Sequence, residues 1–265
     1  EILFLSRSLM FPGFFGEVSV THANVGSLCK VWVERLFTVL SPQILAGIIM
    51  ASDCGSTPDI SAVESEAADI AAAFIARLPK LRRSLNEDVT ATYHGDPAAL
   101  SRQEVLYCYP GIKAISAHRI AHELLSLGVP IIPRMISELS HSDTGVDIHP
   151  AATIGRSFTI DHGTGIVVGA TAIIGDNVKI FQGVTLGAKS FTLDDDGNPV
   201  KGIPRHPIIG NNVVIYANAT ILGRITVGDN AVIGGNVWIT DDVAPGERVL
   251  QAKANANNIL RVKNS

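Results

Sequence analysis

Disulfide frameworks and zinc knuckles are missing from this chain, because its only cysteines, Cys29, Cys54 and Cys108, are an odd, scattered set without a Cys-x-x-Cys pair. Such usage suits a reducing compartment, and a cytoplasmic location is expected. Charge is also scarce. Asp, Glu, Lys and Arg make up 17% of the 265 residues, against ~25% in an average domain, and the mean hydropathy is +0.28. Disorder is thereby excluded, and neutral faces must be buried in a core or between subunits. Long apolar runs are absent too: the uncharged stretch Leu36 to Ser52 has 17 residues and contains Ser-Pro-Gln, short of the ~20 that span a bilayer. No span is expected. A basic surplus is lacking, with net charge −4 and pI near 6.1, which argues against nucleic acid and anionic membranes as partners. The opening Glu1 to Arg7 has no basic stretch before its apolar residues and no initiator Met, and reads as a trimmed chain rather than a signal peptide.

What is present divides in two. Of 24 glycines, 16 follow residue 142, and the hydrophobic pattern changes at the same place. Residues 1–142 read as a helical domain. Ser61 to Leu85 is Ala-rich with Ile70, Phe74, Ile75 and Leu78 at helical spacing. Asp96-Pro97 reads as an N-cap followed by proline at the first helical position, so a helix is expected from Pro97. Another should run from about Lys113 to Leu127 and stop at Gly128, with Pro130 beyond.

From Val146 the apolar spacing becomes six. Ile148, Ile154 and Ile160 form one ladder, Val168, Ile174, Ile180 and Leu186 a second, and Ile209, Ile215, Ile221, Val227, Ile233 and Ile239 a third. Glycine follows many ladder residues and permits tight corners. This hexapeptide repeat predicts a parallel β-helix over 143–252 with one stacked apolar core, and 253–265 as a tail. Two breaks interrupt it. Ile160 to Val168 takes 8 residues, and Leu186 to Ile209 takes 23, which extrudes a loop over 189–204. Its Asp-Asp-Asp-Gly lacks the alternation and terminal glutamate of a calcium loop and reads as solvated turn.

The candidate chemistry lies beside these breaks and ends. His162 sits at the first slip, Arg205 and His206 where the long loop rejoins the repeat, and Asp147 and His149 at the first coil. His118 and His122 share a helical face, but His122-Glu123-Leu124-Leu125-Ser126 fails the His-Glu-x-x-His pattern, so a packed pair is expected.

Val146-Asp147-Ile148-His149-Pro150-Ala151, Asp161-His162-Gly163-Thr164-Gly165, Gln182-Gly183-Val184-Thr185-Leu186-Gly187, Arg205-His206-Pro207, Asp96-Pro97-Ala98 and Ser116-Ala117-His118-Arg119-Ile120-Ala121-His122 together resemble the serine O-acetyltransferase family. The resemblance covers roughly residues 90 to 250. It implies an α+β chain in which an all-helical N-terminal domain precedes a left-handed parallel β-helix, assembled as a homotrimer or a dimer of trimers. It also implies acetyl transfer from acetyl-CoA, as co-substrate, to the hydroxyl of L-serine, giving O-acetylserine for cysteine synthesis, with no metal.

A serine hydroxyl is a poor nucleophile at neutral pH and needs a base near pKa 7. By resemblance His162 is that base, Asp147 orients it, and Asp96, Pro97, Asp161, Arg205 and His206 form the substrate site. Opposite charges suit the substrate: Arg205 for its carboxylate, Asp96 and Asp161 for its ammonium. Coenzyme A is expected along small residues Gly187, Ala188, Ala217 and Gly235, with Lys189, Lys201, Arg248 or Lys253 near its phosphates. The chain ends in Lys263-Asn264-Ser265 where family members that dock into cysteine synthase carry isoleucine, so that partnership is not expected.

Three other readings remain on sequence grounds. Sugar or antibiotic acetyltransferases share the ladder and a histidine base. A zinc enzyme resembling the gamma-class carbonic anhydrases would use His149, His162 and His206, but its His-x4-His pair is missing. A non-catalytic trimeric scaffold would show no acetyl-CoA turnover.

Overall fold

The computed structural model describes residues 1–16, 19–52 and 59–252; Cys54 and Lys253 lie outside them. Helices come first: α1 (Ile2–Met10), α2 (Val25–Ala51), α3 (Ile60–Gly95), α4 (Arg102–Cys108), α5 (Pro110–Ser126) and α6 (Ile132–Thr144). Local chemistry sets their ends. Asp59 caps α3 by accepting N–H bonds from Ser61 (3.0 Å) and Ala62 (3.4 Å). Pro110 opens α5, and α6 stops at Gly145 with φ 70°.

Two expectations from sequence change here. No helix starts at Pro97: residues 97–98 form a turn, and α4 begins at Arg102. Ser101 and Glu104 build a capping box there, with Glu104 N–H donating to Ser101 Oγ (3.1 Å) and Leu100 N–H to Glu104 Oε2 (2.7 Å). Those two satisfied ends outcompete the single Asp-Pro signal. Helix α2 is also longer than its uncharged run suggested. At 27 residues with an apolar window it is long and apolar enough to cross a membrane by length and composition alone. Its buried residues, Trp32, Leu36, Leu40, Ile44 and Gly47, recur at helical spacing on the face toward α1 and α3.

From Asp147 the chain forms strands of two or three residues in three parallel sheets of five, four and five strands. Register explains the sixfold spacing. Ile148, Val168, Leu186, Ile221 and Ile239 stack in the first sheet. Ile154, Ile174, Ile209 and Val227 stack in the second, and Ile160, Ile180, Ile215, Ile233 and Val249 in the third. Every residue of the sequence ladder is buried, so the repeat is a three-sided solenoid with a continuous apolar core. Asparagines, not only glycines, turn its corners. Asn177, Asn212 and Asn230 all have positive φ and their amides link at 3.2 Å and 3.2 Å.

The two breaks fall at different corners. The slip from Ile160 to Val168 lies between the third and first sheets, and the excursion from Leu186 to Ile209 lies between the first and second. The excursion is exposed but ordered as a hairpin: Leu193 bridges Pro199, and Asp194 Oδ1 accepts the N–H groups of Asp196 (3.1 Å) and Asn198 (2.8 Å).

The helical half is pinned to the first coil. Asp88 of α3, fully buried, accepts a forked pair from Arg119 of α5 (2.6 and 2.8 Å) and the N–H of Phe158 (2.9 Å). Arg119 also donates to the carbonyls of Ile154 (3.3 Å) and Gly155 (2.7 Å). A buried ion pair of this kind persists because every remaining donor and acceptor finds a partner. It holds α3, whose end carries Asp96, against the strand that leads to Asp161.

Candidate active site

At the corner between the third and first sheets, the inserted residues take left-handed conformations at His162 (φ 58°) and Gly163 (φ 102°). A histidine there costs backbone energy that glycine or asparagine would spare. The imidazole projects outward, 76% exposed, with Nε2 3.7 Å from Asp161 Oδ1. Asp161 itself is only 20% exposed, and its Oδ2 pairs with Lys179 Nζ at 2.8 Å. That same ammonium donates to the carbonyl of Gly95 (2.9 Å) and lies 4.7 Å from the centre of the Phe181 ring. Asp96 follows Gly95. Its Oδ2 accepts the Tyr109 hydroxyl (2.7 Å) and its Oδ1 the Ala98 N–H (2.8 Å). These bonds, the Tyr109 one first, hold Asp96 below the usual carboxylate range, while the bond to Asp96 pushes the Tyr109 phenol up to about 12.

The structure thus brings Asp96, Asp161 and His162 together at one edge, with Pro97 in the turn after Asp96. It adds Lys179 and Tyr109, which the sequence reading did not select. Lys179 had a signal. Ile160 pairs with Ile180, so one coil is 20 residues and the position before Ile180 lies over Thr159, two residues from Asp161. Tyr109 had none, because it reaches Asp96 from another helix.

Arg205 and His206 stand at the other edge of the first sheet, where the hairpin rejoins. Thr171 organises them: its Oγ accepts the N–H groups of Arg205 (2.9 Å) and His206 (3.1 Å), and its own N–H donates to His206 Nδ1 (3.1 Å). Arg224 braces the same turn through the carbonyls of Thr171 (2.7 Å) and His206 (3.0 Å). His206 is buried, its ring packed on Gly169, where any Cβ would overlap it. Burial first, then the charges of Arg205, His149 and Arg224, pull its pKa down to about 4. At neutral pH it is therefore uncharged, with Nδ1 as acceptor and the proton on Nε2.

Asp147 opens the first strand. No hydrogen bond or ion pair joins it to His162 among the described residues, and in this single chain the carboxylate nearest that imidazole is Asp161. Asp147 is nevertheless beside the corner, since the Val146 side chain lies against Gly163. The four small residues expected to border coenzyme A do not line one edge. Ala217 and Gly235 adjoin each other on the His162 side, while Gly187 pairs with Leu222 in the first sheet and leads through Ala188 into the hairpin. Both glycines are closely packed: a Cβ on Gly235 would sit 3.0 Å from the Ala217 carbonyl, and one on Gly187 2.8 Å from the tip of Leu222, Cδ2, which would have to move aside. His118 and His122 are a packed pair with rings 5.6 Å apart, and His122 Nδ1 meets the Pro150 carbonyl at 2.8 Å.

Residues 206–241 match the family model described as bacterial transferase hexapeptide (six repeats). A plasmid serine acetyltransferase of Synechococcus elongatus is 47% identical over 258 residues, covering 95% of this chain and 80% of that protein. The solved serine acetyltransferase isoform 3 of Entamoeba histolytica in complex with cysteine has a TM-score of 0.81 at 33% identity, over 100% of this chain and 84% of that one. The Neisseria gonorrhoeae serine acetyltransferase in complex with serine has a TM-score of 0.62 at 29% identity, covering 96% and 97%. Near-full-length identity to one curated relative and a shared two-part architecture place this chain in the serine acetyltransferase family.

Proposed function

We propose that the protein transfers the acetyl group of acetyl-CoA to the hydroxyl of L-serine, giving O-acetylserine for cysteine synthesis in the cytoplasm. The observation that carries this reading is the charge pattern of the two edges: an exposed histidine beside Asp161 and near Asp96 on one, and a cation beside a neutral, proton-bearing histidine on the other. A zwitterionic hydroxy amino acid matches that pattern, ammonium toward the carboxylates and carboxylate toward Arg205. A sugar acceptor has no use for it.

His162 takes the proton from the serine hydroxyl as its oxygen attacks the thioester carbonyl. When the tetrahedral adduct collapses, the C–S bond breaks and the imidazolium returns the proton to the leaving thiolate. A carboxylate on the other ring nitrogen stabilises the imidazolium in transit. Asp147, at the same corner, is assigned that role. Lys179 shares Asp161, so Asp96 carries the larger part of the ammonium recognition.

The two half-sites occupy different edges of one prism, and the candidate coenzyme A residues divide between the same two edges. A homotrimer would close both gaps with one operation, by setting the His162 edge of each copy against the Arg205 edge of the next. Two such trimers would pair through their helical ends, where α2 exposes Val31, Val33, Phe37, Ile49 and Met50 on more than one of its faces.

Mixing two inactive variants tests the whole reading. His162→Asn and Arg205→Ala are each expected to be nearly silent in thiol release from acetyl-CoA with L-serine. After dissociation and joint reassembly at equal amounts, about a quarter of sites regain both groups if the site spans copies. No recovery would reject the shared site, and equal turnover of the parent with sugars would reject serine as the acceptor.

A further inference from the structure

Arg205 is held by its backbone, yet almost nothing holds its head. Among the described residues its side chain makes no hydrogen bond and no ion pair, and its Nε is buried without a partner. The guanidinium lies over one aromatic ring, that of Phe191, whose centroid is 5.8 Å from the central carbon. Phe191 is 62% exposed and belongs to no core cluster, so burial does not explain an aromatic there. The hairpin explains its placement. Thr192 accepts the N–H of Val200 (2.8 Å), Leu193 bridges Pro199, and Asp194 accepts the N–H of Gly197 (3.0 Å) on its carbonyl. The strand pair fixes the residue just before it, Phe191, over Arg205.

We propose that Phe191 is a positioning residue: its ring aims the Arg205 fork at the carboxylate of the acceptor, and the 189–204 hairpin exists to present it. The proposal rests on the assignment of Arg205 to that carboxylate. A guanidinium stacks on an aromatic face and keeps its in-plane N–H groups free for a forked bond. A flexible side chain so stacked loses little further freedom when substrate arrives. Without the ring the fork must be ordered at the moment of binding, which weakens recognition of the carboxylate and leaves proton transfer at His162 untouched.

The test compares L-serine with L-serinamide, which keeps the ammonium and hydroxyl and lacks the carboxylate. In the full-length protein, Phe191→Ala is expected to raise the KM for serine about two- to fivefold, the range of an exposed cation–π contact, with kcat and the acetyl-CoA KM unchanged. Its kcat/KM for serinamide should stay at the parent's value, and Phe191→Trp should restore serine. Arg205→Ala should lower the preference for serine over serinamide at least tenfold, by losing serine turnover and keeping that of serinamide. If Phe191→Ala affects both acceptors equally, or neither, while Arg205→Ala still discriminates, the positioning role is wrong. If Arg205→Ala instead lowers kcat/KM for both acceptors by the same factor, the carboxylate assignment fails and takes the proposal with it.

Discussion

Replacing Gly111 with alanine would pry the helical half from the first coil at the point where the substrate site is assembled. Gly111 lies in the first turn of α5, and a Cβ there would come within 2.6 Å of the Ile160 carbonyl oxygen, 2.9 Å of its Cβ and 3.1 Å of its Cγ2. Contacts below 3.0 Å are not tolerated, so one side must yield. Ile160 cannot, because it is stacked beneath Ile180, Ile215 and Ile233. Helix α5 must therefore retreat by roughly half an ångström, carrying Tyr109 at its N-cap and loosening that residue's bond to Asp96. Overpacking costs about 1–3 kcal/mol, and the better helix propensity of alanine offsets up to ~1 kcal/mol. A net loss of about 1–2 kcal/mol would lower Tm by roughly 2–8 °C for a chain of this size. Displacement of a positioning group should cost more in function than in stability, with kcat/KM for serine falling about tenfold or more. Calorimetry and serine titrations of thiol release measure the two effects. A variant with the parent's Tm and a serine kcat/KM within twofold would refute the claim that this junction sets the geometry of Asp96.

His162→Asn should remove turnover by at least two orders of magnitude with an unchanged Tm, because asparagine accepts the positive φ and the lost side chain is largely exposed; turnover within threefold of the parent would remove His162 from the role of base. Acidification should destabilise the fold between about pH 6.5 and 4. His206 stays neutral in the native state down to about pH 4, while the unfolded chain takes up that proton near 6.5. Stability therefore falls as pH drops through that window, levels out for this group below it, and is joined in the same direction by buried His118. Denaturant midpoints flat from pH 7.5 to 4.5 would contradict the buried, neutral state of both rings.

Much of the architecture is legible in the sequence. The ladder spelled out the solenoid because a coil three strands long repeats its inward position every six residues, and all its members proved buried. The breaks were informative for the same reason: a departure from a strict period marks where backbone leaves the coil, and both histidine sites lie there. Local signals were weaker guides. Asp96-Pro97 looked like a helix start, but Ser101 and Glu104 supplied a better one, and the Asp96 carboxylate was engaged by Tyr109. The uncharged run underestimated α2, because a helix tolerates Lys30, Glu34 and Arg35 on its exposed face.

By itself the sequence determined the repeat, its apolar core, the helical half before it and the residue types gathered at the breaks, since all of these follow from periodicity and local backbone chemistry. Only the tertiary structure decided how those residues share space. Whether Asp96 meets Asp161 depends on a buried ion pair between two helices and the packing of Gly111 on Ile160, contacts far apart in sequence. Lys179 reaches Asp161 because coils stack, and Phe191 reaches Arg205 because the excursion folds into a hairpin. The parting of His162 from Arg205 and His206 onto separate edges comes from the three-sided cross-section, which is set by strand register between coils and is not carried by the spacing of any one motif.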